Sequence, residues 1–154
     1  MRPSDEALEA NDAQRQRLRE VIARAGQGGL HQVVHDELDH RGQVAHLAYW
    51  DRFALAVLER WIRGEEYFTD ELPAFYDDAL NDSLLAESLA LPPSAAARLA
   101  EAAADRIDGR LRSLPGEVAD RLLTDGDAAR LLRRHRHRAE HLDEIERVLR
   151  GRLG

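Results

Sequence analysis

The stretch "HRGQVAHLAYWDRFALAVLERWIRG", residues 40–64, decides how the chain folds. Val44, Leu47, Ala54, Val57, Leu58 and Trp61 recur at the 3.6-residue period of an α-helix and share one arc of it. Asp39 stands before the stretch as a helix N-cap, and Gly64 closes it. A helix with one apolar face must bury that face against other elements, and the same period repeats through most of the chain.

Upstream, "PSDEALEANDAQRQRLREVIARAG" offers Ser4 as N-cap, acids in the first turn and Gly26 as a stop. Leu8, Leu18, Val21 and Ile22 make its stripe, with a polar middle around Asn11. The glycine-rich "GQGGLHQVVHDEL" that follows is expected to be a loop carrying His31 and His35, with His40 at the next helix start. All three are expected to face solvent. Downstream, the acidic and aromatic "EEYFTDELPAFY" reads as a long crossover. Residues 77–90 are expected to be helical up to Pro92 and Pro93. Ser94 then caps "AAARLAEAAADRIDGRLRSL", a short helix "GEVADRLL" comes after Pro115, and the last helix covers about 127–150. No stretch alternates as a strand does. The expected architecture is all-α, a four-helix bundle formed by residues 1–154 as one domain, with the long crossover between helices 2 and 3.

Composition removes whole classes of chemistry. There is no cysteine, so disulfides, thiolate nucleophiles and sulfur-ligated metals are excluded. There is no lysine, so neither a Schiff base nor a P-loop lysine is available. A net charge of −7 argues against a nucleic-acid partner. No run approaches the roughly 18 apolar residues of a membrane span, and the start has no signal-peptide core, so a cytoplasmic location is expected.

The candidate site lies in "RRHRHRAEHLDEI", residues 133–145. With His137 as the origin, His141 falls about 40° away, one turn along, whereas His135 falls about 160° away. The pair sits at the edge of an apolar arc formed by Leu131, Leu142, Ile145, Val148 and Leu149. Two histidines at this spacing need a third ligand, and the helix of residues 40–64 supplies His46 on its inward face beside Trp50 and Phe53. Three neutral imidazoles leaving one coordination position open suit zinc or a similar transition metal. Packed core histidines are the alternative reading of the same pattern.

Arg133, Arg134, Arg136 and Arg138 spread round the helix, and most are expected on a solvated face. Arg138 and Asp51 each fall inside an apolar arc. Because a buried charge needs a partner, an Asp51–Arg138 ion pair is expected between the two ligand-bearing helices. Glu140 and Glu144 lie near the histidine face as candidate bases. Asn81 and Tyr76 are candidates for orienting a substrate.

Three segments, "VAHLAYWDR", "ALNDSLLAESLALPP" and "RRHRHRAEHLDEIERVL", resemble the DinB/YfiT-like superfamily, relatives of the N-terminal domain of mycothiol-dependent maleylpyruvate isomerase. The resemblance covers roughly residues 4–150. It implies an up-down-down-up bundle and a divalent ion (zinc, nickel or manganese) held by His46, His137 and His141. It further implies a metal-dependent thiol S-transferase or a hydrolase of a small molecule, with mycothiol as a possible thiol cosubstrate, and a homodimer. Leu38 and Asp39 stand where the family commonly has Trp-Thr or Trp-Ser. A binding, sensing or interaction module with a vestigial metal pocket is the alternative function.

Overall fold

A computed structural model describes residues 1–35, 43–66 and 74–151, apart from the side chains of residue 27, residues 31–35 and residues 74–75. Most of these residues are helical, with no strand among them. In order it forms α1 (Pro3–His35), α2 (Gln43–Ile62), α3 (Ala74–Ala90), α4 (Pro93–Arg112), α5 (Gly116–Thr124), a 3₁₀ turn (Gly126–Ala128), α6 (Ala129–Leu132) and α7 (Arg134–Arg150). The main packing partners are α2 with α4 and α1 with both α7 and α4. α3 packs only lightly on the rest. No helix among the described residues is long and apolar enough to cross a membrane.

Two apolar clusters fill the interior. One gathers Leu18, Val21, Leu30, Val44, Leu47, Leu142 and Ile145 over the alanines of α4, Ala96, Ala100, Ala103 and Ala104. Small alanine side chains on α4 let α2 approach its backbone closely. The other cluster collects Leu58, Trp61, Ile107, Leu111, Leu122 and Leu132. Between them lies a polar layer of Asn11, Asp51, Asp108, Arg134 and Arg138, all buried.

Three boundaries differ from expectation. Gly26 does break the first helix, at φ 60° and ψ −175°, a conformation that is essentially glycine's alone. The segment beyond it is helical, however, and not a loop. Three glycines weaken helix propensity there, but Leu30 is 4% exposed in the core and Gly29 lies close to Leu149, so packing outweighs propensity. His31 and His35 therefore lie on a helix, while the Asp39 cap and His40 fall outside the described residues.

The caps also differ. α4 starts with Pro93 at its first position after Pro92, with no side-chain cap from Ser94. Proline suits that position because its missing N–H would be unpaired in any case. Likewise α1 starts at Pro3, and the buried Ser4 gives its backbone N–H to Asp120 of α5 at 3.1 Å.

The third difference is that the last helix is interrupted. Arg133 (φ −94°, ψ 48°) separates α6 from α7. Asn11 holds this break from across the molecule: its amide donates to the Leu132 carbonyl at 2.7 Å, and its Oδ1 accepts the His135 N–H at 2.7 Å.

Candidate metal centre

α2 and α7 bring His46, His137 and His141 together, so that one nitrogen of each lies within 4.8 Å of the others. The Nε2 atoms of His46 and His137 are 3.2 Å apart. That spacing is a ring-to-ring hydrogen bond and is also compatible with two ligands on one tetrahedral zinc, whose nitrogens at about 2.05 Å from the ion lie roughly 3.3 Å apart. The set can hold a metal ion, and its all-imidazole donors suit zinc or a neighbouring transition metal. His135 stays out of the cluster; its Nδ1 is 3.1 Å from Asn11 Oδ1.

Burial keeps the three rings neutral, as metal ligands must be. Desolvation, aided by His141 and Arg134, lowers His46 to about 4. Desolvation and then Arg134 lower His137 to about 2. His141 is also lowered by desolvation, against the opposing pull of Glu140 and Glu144. Unfolded, such rings take up a proton near pH 6.5. Over the window from there down to about 4, the unfolded chain thus binds more protons than the folded one. The metal-free protein should be fully stable above about pH 6.5 and lose at most ~1.4 kcal/mol per ring for each unit of acidification. Urea midpoints at pH 7, 6 and 5 measure this, and His46→Ala/His137→Ala should flatten the slope. An equally steep slope in that variant would assign the acid sensitivity to other groups.

His141 has its orientation set by a neighbour on the other helix. Its Nδ1 is hydrogen-bonded to Gln43 Oε1, and Gln43 Nε2 donates to Glu144 Oε2 at 3.1 Å. Since a carboxamide oxygen only accepts, His141 carries its proton on Nδ1 and turns Nε2 toward the cluster. Gln43 escaped the sequence reading, although it lies one turn before His46 on the same face. Glu144, considered there as a base, is engaged with this amide.

Behind the cluster is the expected Asp51–Arg138 pair, with Arg138 Nε donating to Asp51 Oδ2 at 3.0 Å. It belongs to a larger set. Arg138 also forks onto Asp108 of α4 at 2.7 and 2.9 Å, and Arg134 Nε donates to Asp51 Oδ1 at 2.9 Å. Arg134 is therefore buried and paired, not part of a solvated face, and its Nη2 reaches to 3.5 Å from His137 Nδ1. Two arginines against two aspartates leave this layer formally neutral.

The cluster opens onto a cleft of about 600 Å³ bounded by Trp50, Asn81 and Arg130 among others. Trp50 donates its indole N–H to Asn81 Oδ1 at 3.0 Å, tying α3 to the wall beside His46. Phe53, placed on the inward face by its spacing, is instead 42% exposed and lines an adjoining cleft. Tyr76 is 52% exposed and lines neither of these clefts. Glu140 stands exposed at the rim of the larger one.

Comparison with protein-family profiles, with curated proteins and with solved structures finds no match for this chain.

Proposed function

We propose that the protein is a metal-dependent enzyme acting on a small molecule, either a thiol S-transferase or a hydrolase, built as an up-down-down-up four-helix bundle of the DinB/YfiT-like kind. The observation that carries this reading is the convergence of three half-buried imidazoles from two helices, two of which, His46 and His137, line a cleft. His46, His137 and His141 would hold a divalent ion, which would supply Lewis-acid activation of a water or thiol there.

The remaining residues prepare the site. Gln43 fixes the tautomer of His141, and the ion-paired layer of Asp51, Asp108, Arg134 and Arg138 locks α7 against α2 and α4. Trp50 supplies an apolar wall beside His46, their ring centroids 6.1 Å apart. The sequence has no cysteine to compete as nucleophile.

Elemental analysis of untagged protein tests the proposal. Wild type should carry about one divalent ion per chain, and His46→Ala and His137→Ala should each lose it. Thiol-dependent turnover of electrophilic esters or alkenes by the loaded protein would then select transferase over hydrolase. A wild-type protein that takes up no zinc, nickel or manganese would leave only packed histidines, and the enzyme reading would fall.

A further inference from the structure

The cleft at the histidine cluster carries four arginines on its wall, Arg130, Arg133, Arg134 and Arg136, in a chain whose net charge is −7. Their roles differ. Arg134 is neutralised by Asp51. Arg130 is 70% exposed and has Asp127 at 3.7 Å as a loose partner. Arg133 and Arg136 have no acidic partner within ion-pair distance among the described residues, although Asp77, Asp127 and Glu140 also line the cleft. Arg133, at the break before α7, and Arg136 also line a smaller cleft beside Glu6 and His135.

We propose that these guanidiniums form an oxyanion subsite, so that the small molecule entering the cleft carries a carboxylate or phosphate bound by Arg133 and Arg136, with Arg130 at the rim. The planar guanidinium fork matches such groups bidentately, and a charge-assisted pair is among the stronger polar contacts. At the start of α7 the His135 N–H is taken by Asn11 and the Arg136 N–H by the Arg133 carbonyl, so the proposed partners of the anion are the side chains. Arg133 and Arg136 line the same cleft as His46 and His137, so an anion held there shares the cleft with those two imidazoles. This substrate class rests on the metal-enzyme reading; the anion subsite does not.

Calorimetric titration with inorganic phosphate, and separately with succinate, tests it on zinc-loaded and on zinc-stripped protein. At least one anion should bind saturably, and whichever binds more tightly identifies the group recognised. Arg133→Gln/Arg136→Gln should weaken binding about tenfold or more, and Arg136→Gln alone, at an exposed position, about threefold. Arg98→Gln/Arg106→Gln, exposed on α4, should stay within about twofold of wild type. Stripping zinc should change binding by less than about threefold.

The proposal is overturned if neither anion binds, or if the two cleft variants bind as wild type does. It is also overturned if binding disappears with zinc while the cleft variants bind normally, since the anion would then sit on the ion. A protein that takes up no metal yet shows the expected arginine dependence would sink the metal-enzyme reading and leave the subsite standing.

Discussion

Arg138→Met should lower the unfolding free energy of the metal-free protein by about 3–5 kcal/mol, the usual cost of leaving a buried charge without its partner. Arg138 is 0% exposed and is bound by two carboxylates at once, Asp51 and Asp108, with a longer bond from Nη1 to the Asn11 carbonyl at 3.4 Å. Methionine replaces the aliphatic stem of the fully buried arginine, so most of the loss is electrostatic. The two aspartates fare differently. Asp51 keeps Arg134 at 2.9 Å, whereas Asp108, 3% exposed, is left with Arg15 Nε at 3.8 Å.

That asymmetry gives the prediction a second arm. Arg138→Met/Asp108→Leu removes the orphaned carboxylate as well as its guanidinium, and so should be about 1–2 kcal/mol more stable than Arg138→Met alone. Urea unfolding at pH 7 with far-UV circular dichroism measures both. A single-variant loss under about 1.5 kcal/mol, or a double variant no more stable than Arg138→Met alone, would mean that the pair is not coupled as its geometry requires.

This network also separates what periodicity reveals from what it hides. That His137 and His141 share a face of α7 and that His46 points inward from α2 follows from helical geometry, whereas the meeting of the two helices at the same level is set by packing. The Asp51–Arg138 pair follows from one further rule, that a charge on an apolar arc needs a partner. Asp108 was open to the same rule: it lies with Ala104, Ile107 and Leu111 on the inward side of α4.

Other features were set by contacts distant in sequence. The break at Arg133 depends on Asn11, which is 124 positions from the His135 amide it accepts. No local signal marks that residue as a clamp, so the last helix reads as unbroken and Arg134 as a surface charge. The helix beyond Gly26 fails for the opposite reason. Its local signal, three glycines in four residues, is strong and points to a loop, but Leu30 and the approach to Leu149 reverse it.

The second large effect should be thermal stabilisation by zinc. A ligand that binds only the folded state adds RT ln(1 + [L]/Kd), about 4 kcal/mol at a thousandfold excess over Kd. For a chain of 154 residues each kcal/mol raises Tm by about 2–4 °C, so saturation should raise it by about 8–16 °C. The folded chain offers three converging imidazoles, which the unfolded chain scatters over nearly a hundred positions from His46 to His141. A chelator should return Tm to its starting value.

Two variants divide the effect between ligand and support. His141→Ala removes a ligand, and zinc should then scarcely move its Tm. Gln43→Met keeps all three imidazoles but deletes the acceptor of the His141 Nδ1 proton. Losing such an outer partner costs about 10–100-fold in metal affinity, or about 1.4–2.7 kcal/mol, so the zinc-induced shift should shrink by about 3–11 °C at the same zinc concentration. Differential scanning fluorimetry across a zinc titration reads all three proteins. Equal shifts in wild type and His141→Ala would place zinc on surface carboxylates instead. A full shift in Gln43→Met would show that the His141 ring needs no help from α2 to face the ion.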